Sequence, residues 1–168
     1  MITNLLVILL ILVIGKIYAN VYKTKANTDT VRKKYIRIIC FILILQSGLR
    51  NVAVGEDTYN YFNSFDEVKN SSWKMIISDF KEYYKFGIGK DPGYDIFQKC
   101  IQIISVDFQV YLLIIAIIFF LALGNFIYKN TTRLIDAVIA FVIYSVLFYT
   151  FYSITGIRQT IATALALY

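Results

Sequence analysis

Residues Arg50 to Tyr61 read RNVAVGEDTYNY and divide the chain into two kinds of sequence. Apolar and basic residues precede this stretch, and it opens the one long polar segment of the protein. An arginine, two adjacent acids, a glycine and two tyrosines fall within its twelve residues. If the apolar run before Arg50 crosses a membrane, these groups lie at a membrane surface, and the positions of the other elements follow from that.

Composition predicts an integral membrane protein. Of the 168 residues, 58% are hydrophobic and 17% are charged, whereas about a quarter of the residues in an ordinary soluble domain are charged. The apolar residues also fall in blocks of membrane-spanning length rather than alternating. We therefore expect an all-α integral membrane protein.

Four complete transmembrane helices and a truncated fifth are predicted from these blocks. Their expected ranges are Ile2 to Tyr18, Tyr35 to Leu49, Phe108 to Tyr128, Leu134 to Ile154 and Ile157 to Tyr168. The fifth would rise only about 18 Å, short of a hydrocarbon core of about 30 Å. Residues 1–168 are accordingly expected to form a single membrane domain that is the N-terminal part of a longer polytopic protein, or a truncated copy of one.

The basic residues give the expected orientation. Between the first two predicted spans lies a basic loop, Tyr22 to Lys34, in which Asp29 is the one acid. Loops of this kind face the cytoplasm beside anionic lipid, so the N-terminus and residues 50–107 are predicted to lie outside. The net charge of +6 is therefore explained by basic residues that lie beside anionic membrane lipid, and no nucleic-acid partner is expected.

Helical spacing predicts two interfacial helices within the extracytoplasmic loop 50–107. The first would carry an apolar stripe from Trp73 to Tyr84, with charged residues between its members. Gly87, Gly89, Pro92 and Gly93 then interrupt the chain. A second stripe, from Tyr94 to Ile104, predicts a short helix in the same interface.

Metal and cofactor chemistry have no sequence signal. The chain has no histidine and two cysteines, Cys40 and Cys100, which are expected to be free thiols in apolar surroundings. No nucleotide-binding or zinc motif is present. Neither a metal nor a cofactor is predicted.

A second motif, Gly156-Ile157-Arg158-Gln159, lies at the start of the last apolar run. The predicted topology brings Arg50 and Arg158 to the same outer face, where the forked guanidinium donors suit the phosphate oxygens of a lipid carrier. Arg158 also begins a helix whose first N–H groups favour an anion. The alternative is that each arginine only anchors a helix end at the interface.

Four further residues are candidates for the site. Asp57 is a candidate general base for a sugar hydroxyl, or it caps a short helix that begins at Thr58. Glu56 is a second candidate acid, and Tyr61 is a candidate platform for sugar rings. Gln159 is expected to hydrogen-bond sugar or phosphate, or to cap the helix that it begins.

Three motifs together resemble the EpsG family, membrane proteins that are grouped with Wzy-type polysaccharide polymerases. The first combines Arg50, Gly55, Asp57 and Tyr61; the second is the turn Asp91-Pro92-Gly93; the third runs from Gly156 to Gln159 and adds Ala162. The chain departs from the family pattern at Glu56, where a small or hydroxyl residue is expected. It also has Asp91 where glutamate is usual.

The resemblance implies a glycosyltransferase that polymerises exopolysaccharide or capsule repeat units outside the bacterial cytoplasmic membrane. Its substrate would be an undecaprenyl-pyrophosphate-linked oligosaccharide, with other polysaccharide-assembly proteins as possible partners. Asp57 and Arg158 would be catalytic, and the substrate-binding residues would be Arg50, Tyr61, Gln159 and Glu56. Two alternatives stay open: a non-catalytic subunit or carrier that binds the same lipid-linked glycan, and an inactive truncated fragment.

Overall fold

The computed structural model describes residues 2–23, 28–55, 57–89 and 91–167, and the described chain is helical with no β-strand. Its α-helices are α1 (Ile2–Val21), α2 (Asp29–Gly48), α3 (Thr58–Asn70), α4 (Trp73–Phe86), α5 (Pro92–Gln102), α6 (Phe108–Asn130), α7 (Leu134–Ile143) and α8 (Ile157–Leu167). Two π-helical turns, Tyr144–Phe148 and Phe151–Thr155, extend α7.

A bundle of α1, α2, α6, α7 and α8 surrounds the larger apolar core. α6 lies at its centre, between α2 and α8, while α1 packs against α7. α2 and α6 approach each other closely at Gly124, where an added Cβ would lie 2.6 Å from the sulfur of Cys40. Interdigitated apolar side chains at this contact hold the two helices together.

Two helices are long and apolar enough to cross a membrane by length and composition, in the segments Thr3–Val21 and Phe108–Asn130. Leu134–Phe148 is apolar but shorter. α2 carries four basic residues and one acid in its first nine positions, which lowers its mean hydropathy. The prediction of four complete spans and a fifth is therefore confirmed only in its coarser part, an all-helical chain with apolar helices of spanning length.

The basic segment between α1 and α2 differs from the expected loop. α2 begins at Asp29, so residues 29–34 are helical rather than part of a loop that ends at Lys34. Arg32 explains the difference: its guanidinium is buried, pairs with Asp29 at 2.6 Å and lies 4.8 Å from the ring centroid of Tyr128. It also donates to the carbonyl of Thr131. These contacts fasten the start of α2 to the turn between α6 and α7.

The outer segment forms three helices. The predicted helix α4 is confirmed; it begins after Ser72, whose hydroxyl accepts from the N–H of Met75, and ends at Gly87 in the left-handed conformation. α5 ends at Gln102, earlier than the predicted stripe, which ran to Ile104. α3 begins at Thr58, as the alternative interpretation of Asp57 expects.

A second apolar cluster joins this outer segment to one end of the bundle. Phe65 of α3 and Tyr94 of α5 pack with Phe108 and Tyr111 of α6 and with Ile157 of α8. The Gln109 amide, at the start of α6, donates to the carbonyl of Gly48 at the end of α2. The ends of α2, α6 and α8 thus meet under α3 and α5, and we call this the outer end of the bundle.

Candidate functional site

The two sequence motifs contact each other at the end of α7. The hydroxyl of Thr58, which is fully buried, donates to the carbonyl of Val54 at 2.7 Å. It also lies 3.2 Å from the carbonyl of Ile154, in the last π-helical turn. This contact joins residues that are 96 positions apart in the chain.

Gly55 allows that contact. It has φ of +100°, a conformation that only glycine adopts without strain, and an added Cβ would lie 2.7 Å from Ile154 and 2.8 Å from Thr58. Both the backbone angle and the space therefore require glycine here.

The break between α7 and α8 leaves carbonyl groups without ordinary helical partners. The N–H of Gly156 donates to Phe151 at 2.8 Å, which closes the π-helical turn. The hydroxyl of buried Thr160, which has one proton to donate, lies within hydrogen-bond distance of the carbonyls of Tyr152 and Gly156. Because these groups are satisfied, the chain can turn inside apolar surroundings and start α8 at Ile157.

Arg158, in the first turn of α8, is the centre of the candidate site. Its Nη1 donates to a carboxylate oxygen of Asp91, 67 residues away. The guanidinium carbon lies 4.7 Å from the ring centroid of Tyr94 and 5.8 Å from that of Tyr61, within the range of cation–π attraction. The Nε of Arg158 is buried and has no acceptor among the described residues.

Asp91 has an unusual backbone. Its φ of +50° makes it the one non-glycine residue with positive φ among the described residues. It precedes α5, with Pro92 in the first turn of that helix. Positive φ at aspartate costs free energy, which the surrounding structure must offset. The consequence is that the Asp91 carboxylate faces Arg158.

The tyrosines beside Arg158 form a buried support. Tyr111 of α6 donates to the Tyr94 hydroxyl at 2.7 Å, and the two hydroxyls are buried among aromatic rings. Burial raises the pKa of Tyr94 above its ordinary range and also raises the pKa of Tyr61, which the adjacent Arg158 partly opposes. Both phenols stay neutral at pH 7 and act as ring surfaces and hydrogen-bonding groups.

Arg158 opens onto a cavity of ≈ 510 Å³ at the outer end of the bundle. Helices α4, α5 and α8 form its walls, with Phe80, Tyr84, Phe97 and Leu165 as apolar surface and Asp91 and Arg158 as charged groups. Burial raises the pKa of the nearby Asp95 carboxyl, while Arg158 lowers it. The cavity is therefore mainly apolar and aromatic, with Arg158 paired with Asp91 at its wall.

Arg50 also lies near the first turn of α8, where it lines a small cavity with Ile157 and Thr160. Its Nη1 is 3.2 Å from the carbonyl and 3.3 Å from the hydroxyl of Ser47. It lines a second cavity of ≈ 380 Å³ with Tyr149. Arg50 and Arg158 thus both lie near the first turn of α8 but line different cavities.

The other predicted residues are placed as follows. Asp57 is exposed at the N-cap position of α3, where its side chain makes no capping hydrogen bond; its carbonyl accepts from the N–H of Tyr61 at 3.0 Å. Tyr61 lies beside Arg158. Gln159 is exposed in the first turn of α8. Glu56 lies outside the described residues.

Sequence reasoning missed Asp91 as the partner of Arg158 and Thr58 as the link to α7. The turn Asp91-Pro92-Gly93 was visible as a turn, and Thr58 as the start of a helix. Nothing in a single sequence indicates which distant residue each contacts. Tyr94, the nearer ring to Arg158, was visible only as part of an apolar stripe.

Among the described residues, two apolar helices of spanning length indicate a membrane protein, and the family match points to the same class. The chain belongs to the EpsG family, whose model matches residues 33–168. No curated protein and no solved structure matches the chain significantly. The family match includes all three motifs.

Replacing Gly55 with alanine tests the contact between the motifs. Gly55→Ala should lower the free energy of unfolding in detergent micelles by about 1–3 kcal/mol more than Gly87→Ala does, because only the Gly55 side chain meets other atoms. Gly87 is the matched control: its φ is +67°, and an added Cβ has nothing within 4 Å. Equal losses in the two variants would contradict the docking of Gly55 on Ile154.

Proposed function

We propose that this chain is a polysaccharide polymerase-like membrane glycosyltransferase that joins undecaprenyl-pyrophosphate-linked repeat units in exopolysaccharide or capsule biosynthesis. One observation carries the proposal: a half-exposed arginine, held by a carboxylate over two tyrosine rings, faces an apolar cavity at the outer end of the bundle. Membership of the EpsG family supports the same reaction class.

The cavity suits both parts of a lipid-linked sugar. Aromatic rings offer faces on which sugar rings stack, and apolar walls accept the first isoprene units of the lipid. The guanidinium of Arg158 offers donors that fit pyrophosphate oxygens. The donor available to the pyrophosphate is the Nη1 group that now bonds to Asp91, whereas the Nε is buried and has no acceptor among the described residues.

The free energy of the ion pair between Arg158 and Asp91 is small, which favours replacement of Asp91 by an anionic substrate. The side chains of Arg158 and Asp91 are 36% and 48% exposed, and an ion pair with that exposure stabilises by about 0–1 kcal/mol. A pyrophosphate carries more negative charge than one carboxylate and can form two parallel hydrogen bonds with the guanidinium, where Asp91 forms one. A pyrophosphate can therefore displace Asp91 from Arg158, while Asp91 holds the guanidinium in position in the absence of substrate.

The proposed reaction is a displacement at the anomeric carbon. A hydroxyl oxygen of one repeat unit bonds to the anomeric carbon of another, and the bond from that carbon to the pyrophosphate oxygen breaks. Asp57 accepts the hydroxyl proton, and Arg158 stabilises the negative charge on the departing lipid pyrophosphate. Arg50, Tyr61, Gln159 and Glu56 are proposed to bind the substrate, and no metal or cofactor takes part.

The orientation of this site is also part of the proposal. We infer a multi-pass protein of the bacterial cytoplasmic membrane with its N-terminus outside, in which α1, α2, α6 and the extended α7 cross and α8 begins a fifth span. The exposed apolar side chains of α4, Trp73, Ile77 and Tyr84 among them, would lie in the headgroup region. The outer end of the bundle then faces the leaflet that carries the exported substrate.

Arg158→Ala should weaken equilibrium binding of radiolabelled undecaprenyl pyrophosphate by about 10- to 100-fold, because charge-assisted hydrogen bonds are lost. Lys85→Ala is the matched control, since it removes an exposed cation of α4 that does not line the cavity. Equal binding by the two variants would defeat the role of Arg158.

The substitution Asp57→Asn distinguishes a catalytic polymerase from a non-catalytic carrier. Polymer formation in cells should fall by about 10²- to 10⁴-fold, the usual contribution of a general base, while binding of undecaprenyl pyrophosphate stays within about twofold. Asp66→Asn, which changes an exposed acid of the same helix, should leave both unchanged. Long polymer in the Asp57→Asn strain would favour a non-catalytic carrier instead.

A further inference from the structure

A groove between α2 and α6, at the opposite end of the bundle from Arg158, is not used by the proposed reaction. Its volume is ≈ 430 Å³. Ile36, Phe41 and Ile44 of α2 and Phe120 and Leu121 of α6 give it apolar walls. Phe41 and Leu121 are 61% and 60% exposed, whereas Ile36 and Phe120 are buried, so the described chain leaves the rim of the groove uncovered.

Positive charge is confined to one end of this groove. Lys33 and Arg37 line it one helical turn apart, and neither forms an ion pair within the described residues. The ammonium of Lys33 lies 5.4 Å from the ring centroid of Tyr128, which holds it at the mouth. Arg32, the adjacent cation, is buried and already bound to Asp29.

The length of the groove matches one leaflet. From Lys33 to Ile44 the helix rises about 16 Å, and half of a hydrocarbon core of about 30 Å is about 15 Å. Cations at one end, followed by one leaflet depth of apolar wall, match a phospholipid with an anionic headgroup. A helix packed in the groove would not need positive charges at one end of it, so these charges favour a lipid as the occupant.

We propose that the α2–α6 groove binds an anionic phospholipid, with an acyl chain along the apolar walls and the headgroup phosphate on Lys33 and Arg37. The basic end faces the cytoplasmic leaflet in the proposed orientation, and that leaflet is rich in anionic lipid. This site is separate from the Arg158 cavity and does not depend on the proposed reaction.

The headgroup contact is tested with the chain in detergent micelles, by native mass spectrometry during titration with dioleoyl phosphatidylglycerol or dioleoyl phosphatidylcholine. Wild type should retain phosphatidylglycerol in preference. Lys33→Gln with Arg37→Gln should weaken that retention about fivefold for each cation removed. The matched control, Lys34→Gln with Lys129→Gln, removes two exposed cations that do not line the groove and should keep the preference.

Leu121→Trp tests the acyl-chain contact, because it fills the groove from an exposed position and leaves both cations in place. It should weaken phosphatidylglycerol retention, whereas Ile118→Trp, on the same helix but outside the groove, should not. Equal retention in the charge variant and its control would overturn the proposal. So would a Leu121→Trp chain that keeps its lipid but changes its oligomeric state, since a second protein chain would then be the occupant.

Discussion

The carbonyl groups at the end of the extended α7 set the main constraint on this structure. A helix that stops in apolar surroundings must find hydrogen-bond donors for its last carbonyls, since no water is there to supply them. The Thr160 hydroxyl of the next helix donates at this end, and the Thr58 hydroxyl at the start of α3, which donates to Val54, lies 3.2 Å from the carbonyl of Ile154. Thr58 ties the outer segment to the bundle, and Thr160 fixes where α8 begins. The end of the extended α7 therefore positions both α3 and the first turn of α8, which carry residues of the candidate site.

Arg158 follows from this arrangement. The break at Gly156 places it in the first turn of α8, and the attachment of α3 brings Tyr61 beside it. α5 supplies Tyr94 and Asp91 from the other side. A cation at the border of an apolar bundle needs compensation for lost hydration. Two aromatic faces and one exposed carboxylate supply that compensation at Arg158.

The sequence was sufficient for the helical class, for the helical character of α4 and for the family, because these depend on local periodicity and on short motifs. It was insufficient at Asp29, where burial of Arg32 against Tyr128 and Thr131 extends α2 into a segment that reads as a basic loop. α3 was foreseen only through its N-cap, since just Thr58, Phe65 and Val68 of that helix are buried. The pairing of Asp91 with Arg158 depends on tertiary folding across 67 residues, which no local pattern encodes. Arg50 and Arg158 were expected to share one patch, and whether a single pyrophosphate reaches both stays a prediction.

Cross-linking within the membrane tests most directly whether the two motifs meet. Cysteines would replace Tyr61 and Arg158 in a chain whose Cys40 and Cys100 are alanine, and a short bifunctional thiol reagent would be added to membranes. A second chain with cysteines at Arg37 and Arg158 reports on opposite ends of the bundle. The account predicts rapid linkage of positions 61 and 158 and none of positions 37 and 158. Linkage of 61 to 158 at no more than the rate of the control pair would contradict it.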